Sequence, residues 1–116
     1  MKRTKTVTIV SAALLALLGE GSISSAQNPG WVNDVSVQRV AGTANGAVNV
    51  RFSPDLTGCG NNSGYGGAYG TIAASHPNVE RMTSMLLAAQ LSGTRVSVYV
   101  QSSSCSIGEV IIGGAL

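Results

Sequence analysis

Along much of this chain apolar and polar residues alternate in steps of two, the period of a half-buried strand. Over 35–40, Val35-Ser36-Val37-Gln38-Arg39-Val40 alternates in part and ends at Gly42. Asn45-Gly46, a strong hairpin signal, separates it from Ala47-Val48-Asn49-Val50-Arg51-Phe52. There Val48, Val50 and Phe52 take one face while Asn49 and Arg51 take the other. Ser53-Pro54-Asp55 stops that strand, and Gly, Asn and Ser around Cys59 make a loop over 57–67. Tyr69, Thr71 and Ile72 carry the β propensity of a third strand over 68–74. His76-Pro77-Asn78 then breaks the strand and opens a helix over 78–91. Its Val79, Met82, Leu86 and Ala89 recur at offsets of three and four, widened by Met85 and Ala88. Gly93 supplies the left-handed cap just past its end. Residues 95–101 alternate cleanly, Ser102–Ser104 form a polar loop, and Ile107, Val110, Ile111 and Ile112 make a last strand apolar enough to be covered on both faces.

The predicted order is therefore β-β-β-α-β-β. Five short strands with one helix between the third and fourth match a five-stranded OB-fold-like barrel, the helix stripe plugging one end. The alternative is an open α+β sheet with the helix on its face.

The first 26 residues follow another logic. Lys2, Arg3 and Lys5 precede an apolar stretch from Val7 to Leu18, shorter than the roughly 20 residues that span a bilayer. Ser24-Ser25-Ala26 then presents a small-residue exit with cleavage between Ala26 and Gln27. The pattern predicts a bacterial signal peptide over 1–26, export to the periplasm or the medium, a flexible leader over 27–32 and a single domain over 33–116.

Removing that segment changes the charge picture. Arg39, Arg51, Arg81 and Arg95 balance Asp34, Asp55, Glu80 and Glu109, and no lysine remains, so the net charge of +2 belongs to the signal. A nucleic-acid partner needs a basic stripe, which is absent, and adsorption to anionic lipid by charge fails for the same reason. No stable membrane insertion is expected. Cys59 and Cys105 both lie in the exported part, where two cysteines predict one disulfide.

Catalytic chemistry finds little support. His76, the one histidine, precedes a proline at a helix start and reads as a turn or cap residue; the four acids fall on four different elements. Ligands for a metal are too few, and Gly64-Tyr65-Gly66-Gly67 lacks the Lys-Ser/Thr ending of a phosphate loop. The expectation is a non-enzyme with no cofactor and no metal. Asn61-Asn62-Ser63 matches a glycosylation triplet of a kind common by chance. The loop itself offers the candidate ligand-binding residues Asn61, Asn62, Tyr65 and Tyr69: small neighbours permit close approach, amides donate and accept, and tyrosines stack on sugar rings. Trp31 is a further candidate, with packing over the domain as its alternative role.

The block Met82-Thr83-Ser84-Met85-Leu86-Leu87-Ala88-Ala89-Gln90-Leu91-Ser92-Gly93-Thr94-Arg95-Val96-Ser97-Val98-Tyr99-Val100, with Cys59 in a loop upstream, resembles the helix–strand segment of small exported OB-fold proteins of Gram-negative bacteria. These are similar to the B subunits of subtilase cytotoxin and the pertussis-like typhoid toxin. The resemblance covers residues 33–112 in element order and only 82–100 and Cys59 residue by residue. It implies a non-catalytic carbohydrate-binding module forming a homo-oligomer, a pentamer, on cell-surface glycans or a protein partner. No sugar-contacting residue of the toxins maps onto this chain. The contrasting expectation is a periplasmic or envelope structural or protein-interaction domain without a small ligand.

Overall fold

The computed structural model describes residues 27–60 and 62–113. Residues 1–26, for which a signal peptide is predicted, and Asn61 lie outside the described residues. Five strands and one helix follow the predicted order: β1 (Gly30–Gly42), β2 (Val48–Ser53), β3 (Tyr69–Ile72), α1 (Val79–Ser92), β4 (Val96–Val100) and β5 (Ile107–Ile112). All neighbouring strands pair antiparallel in one sheet of order β3-β2-β1-β4-β5.

The sheet is not closed into a barrel. Its two edge strands approach each other through one parallel bridge, Thr71 to Ser106, with the Thr71 N–H donating to the Cys105 carbonyl at 2.9 Å. All four residues of β3 pair with β2 on one edge, and among the described residues its other edge makes only that single bridge.

β1 holds the sheet together because it is long and bent. It reaches back to Gly30, into the segment read as leader, and its first half pairs with β4 while its second half pairs with β2. Each half carries one extra residue relative to its partner. The first lies between Val32 and Val35, where Asp34 adopts φ 61°, a left-handed conformation that Asp tolerates better than most residues. The second lies between Val37 and Arg39. Such bulges bend a strand and increase its twist. Gln27 is also tied down, its side-chain oxygen accepting the Thr57 N–H at 3.1 Å.

The core lies between the inner sheet face and α1. Val50, Phe52, Ile72, Leu86, Val96, Val98 and Val100 are all fully buried within it. Of the helix stripe, Met82, Leu86 and Ala89 are buried, whereas Ala88 is exposed and does not widen it. Gly93 caps the helix at φ 72°, its N–H donating to the Ala89 carbonyl. β5 departs from expectation. Ile107 is buried, but Val110 and Ile111 are half-buried and Ile112 is exposed, because this strand is a sheet edge covered on one side only.

Cys59 and Cys105 form the expected disulfide, with Cα atoms 5.3 Å apart across a separation of 46 residues. It fastens the 57–67 loop to the start of β5. In the chain-entropy account, closing a loop of that length stabilises the fold by about 4 kcal/mol. The Cys59→Ser/Cys105→Ser double variant should therefore lose about that much in urea unfolding of the oxidised protein; a loss under about 1 kcal/mol would contradict the account. Gly70 points into the core, where an added Cβ would sit 2.8 Å from Ile107 Cδ1 and 2.9 Å from Leu56 Cδ1. Gly70→Ala should cost about 1–3 kcal/mol by overpacking, measured in the same transition.

Candidate functional site

The inner face is committed to the core, and the outer face of β1, β2 and β3 carries polar side chains. Cross-strand partners share a face, and the registers Arg39–Arg51 and Arg51–Tyr69 place these three residues in one outward row. The next row is Ala41, Asn49 and Thr71. The 57–67 loop folds back over the β2–β3 part of this face, closed at its neck by the Cys59 N–H donating to the Gly67 carbonyl at 3.0 Å. Asn49, predicted to face outward, does so and is nevertheless only 1% exposed, because the loop covers it.

Asn62 organises the loop. Its side-chain nitrogen donates to the carbonyls of Gly66 at 2.6 Å and Tyr69 at 3.2 Å, while its Oδ1 accepts from the N–H groups of Tyr65 at 3.1 Å and Gly66 at 3.4 Å. Its own carbonyl accepts from Asn49 Nδ2 at 3.1 Å. Thr71 Oγ1 donates to Asn49 Oδ1 at 2.6 Å, extending the network across to β3. Among the described residues no buried side-chain polar atom lacks a partner.

The candidate ligand residues of the sequence thus separate. Asn62 is buried with its hydrogen-bonding capacity spent inside the loop. Tyr69 is also buried, and Tyr65 stands edge-on to it with ring centroids 5.4 Å apart. Tyr65 remains 43% exposed and borders a cleft of about 330 Å³ with Gly42, Thr43, Ala44, Asn45 and Ser63. Trp31 lies at the other end of β1, half-buried against its cross-strand partner Tyr99 with centroids 5.3 Å apart. Asn61 is outside the described residues.

A second cleft of about 460 Å³ opens on the same face between Gln38, Arg39, Arg51, Ser53, Pro54 and Asp55. Arg51 holds Asp55 in a two-point fork, Nε to Oδ1 at 3.0 Å and Nη2 to Oδ2 at 3.2 Å. That hydrogen bonding keeps the Asp55 carboxyl below its ordinary range, against a smaller opposing desolvation. The Arg51 guanidinium is raised, first by the hydrogen bond to Asp55, then by its charge, with a lesser share from Tyr69. With a lowered folded value, the pair's support is present above the usual carboxylate pKa of about 3.9 and is lost as pH falls through the lower one. Both side chains are more than two-fifths exposed, so that support is small. The signal for this cleft was present in Val37-Gln38-Arg39-Val40, where two polar residues between two apolar ones break the alternation and mark a bulge.

His76 serves the turn before α1. Its Nδ1 accepts the Asn78 N–H at 3.0 Å, which assigns the ring proton to Nε2, and Nε2 donates to the Gly108 carbonyl at 3.0 Å. Among the described residues no three His, Cys, Asp or Glu side chains gather as a metal site, and no helix is long and apolar enough to cross a membrane.

The described residues define a small β domain with one helix, one disulfide and a loop-covered outer face with clefts beside Tyr65 and between Arg39 and Arg51. Comparison with family models, with curated proteins and with solved structures gives no match for this chain.

Asn62→Ala would leave the Tyr65 and Gly66 N–H groups and the Gly66 and Tyr69 carbonyls without their partner. It should destabilise the domain by roughly 2–3 kcal/mol and speed amide exchange at Tyr65 and Gly66 selectively. Unchanged exchange at those two amides would show that the loop is held by other contacts.

Proposed function

We propose that this chain is a non-catalytic, exported binding module that recognises a glycan through the Tyr65 edge of its loop. The observation that carries the reading is the state of Tyr65. Its backbone is pinned by Asn62, its ring is braced by Tyr69, and its outer surface is left open beside a cleft. An aromatic ring held in place before binding loses little conformational freedom on capturing an apolar sugar face. The cleft falls in the roughly 300–1,000 Å³ range of small-molecule sites. Thr43, Asn45 and Ser63 add hydroxyl and amide groups for sugar hydroxyls.

The OB-fold reading is part of this proposal. Its support is the β-β-β-α-β-β order, a first strand shared between β2 and β4, and the parallel Thr71–Ser106 bridge where a barrel of that kind would close. Kinship to toxin B subunits and a pentameric state rest on the element order over 33–112 and, residue by residue, on the 82–100 block and Cys59. A second reading, contact with another protein in the envelope, has one observation in its favour: Leu87 and Leu91, one turn apart on α1, are 41% and 86% exposed.

A panel of free mono- and disaccharides, followed by saturation-transfer NMR on the oxidised protein, tests the glycan reading. Binding should show transfer from Tyr65 to the sugar ring and fall by about tenfold in Tyr65→Ala, the worth of one stacked ring at about 1–1.5 kcal/mol. Transfer that persists undiminished in Tyr65→Ala, or no sugar bound at all, would overturn it in favour of the protein-contact reading.

A further inference from the structure

We propose that the cleft between Arg39 and Arg51 binds a carboxylate-bearing ligand, one carboxylate at a time. The inference does not rest on Tyr65, which borders the other cleft.

The argument starts from register. Val37 pairs with Phe52, so an unbroken ladder would set Gln38 opposite Arg51 and Arg39 opposite Val50, which is fully buried. The extra residue at Gln38 moves Arg39 one place along, opposite Arg51, and lets Val37 and Val40 both turn toward the core. The bulge is tied in place because the Gln38 carbonyl, freed from the ladder, accepts the Gln90 side-chain N–H of α1 at 2.9 Å. Arg39 and Arg51 thereby become cross-strand partners on one face of the sheet, a like-charge pair that is unfavourable without a counter-ion.

Asp55 supplies only half of that counter-charge. It engages Nε and Nη2 of Arg51, whose guanidinium also meets the neutral Tyr69 side chain, which brings no counter-charge. Arg39 is exposed and its side chain has no hydrogen bond or ion pair among the described residues. The cleft therefore holds two positive charges against one negative, with planar N–H arrays on both sides. A planar monoanion satisfies both: its two oxygens match the guanidinium fork, and its single charge brings the cleft to neutrality. A phosphate dianion or a polyanion would bring excess negative charge beside Asp55, and the chain offers no further basic residue in the cleft to offset it.

Glucuronate, its neutral methyl ester and glucose make a matched set of probes, read by the arginine Nε–Hε signals in NMR titrations of the oxidised protein. Glucuronate should move the Arg39 and Arg51 signals in a saturable way, and the ester and glucose should not. Arg39→Gln should weaken glucuronate by about tenfold or more, the worth of a charge-assisted hydrogen bond. Asp55→Asn, which releases the Arg51 fork, should strengthen it several-fold, and Arg81→Gln on α1 should leave it unchanged. Equal response to the ester, or undiminished binding in Arg39→Gln with its amide spectrum intact, would overturn the proposal. Shifts at the arginines without shifts at Tyr65 would support it whatever the outcome of the Tyr65→Ala test, so the two stand or fall separately.

Discussion

A single bent strand carries the architecture. β1 pairs with β4 along its first half and with β2 along its second, and a bulge in each half bends it. Two extra residues supply the bend, one around Asn33-Asp34 and one at Gln38. Each has a local cost that the fold offsets with a named contact. Asp34 sits in a left-handed conformation with its carbonyl accepting from Arg95 at 2.9 Å, and the Gln38 carbonyl is satisfied by Gln90. The second contact also links the sheet to α1, so the bend, the helix docking and the outward aim of Arg39 depend on one another.

The outer face of the sheet shows how a small chain increases its buried surface. One core between sheet and helix is thin for a domain of this size, and burying part of the second face adds to it. The 57–67 loop provides that cover without an apolar residue of its own other than Cys59 and Tyr65. It does so with hydrogen bonds centred on Asn62 and with the disulfide to Cys105, which limits how far the loop can open in the unfolded chain. A loop held this way presents Tyr65 rigidly while Tyr69 beneath it is used up as support.

The two surface ion pairs among the described residues play little part in stability. Arg51–Asp55 and Arg95–Asp34 are both well exposed, where screening by water leaves a modest contribution. Their consequence is for surface potential. Arg95 and Arg51 are each matched by a carboxylate, whereas Arg39 is left as an open cation within a cleft.

Much of this was legible in the sequence, because it depends on neighbours along the chain. Period-two alternation marked β2 and β4, a three- and four-residue spacing marked α1, and Gly93 marked its end, since backbone conformation and burial of one face are decided within a few residues. The pairing of Cys59 with Cys105 followed from there being two cysteines in the predicted exported part. What only the tertiary structure decided depends on residues far apart. Asn62 looked like a ligand contact until the loop folded over Asn49 and consumed its amide. β5 looked doubly covered until it became an edge, and the predicted barrel remained an open sheet whose edges meet at a single bridge. The facing of Arg39 and Arg51 came from a one-residue register shift between strands, which no single strand's pattern contains, because register is set by the pairing of two segments and not by either one alone.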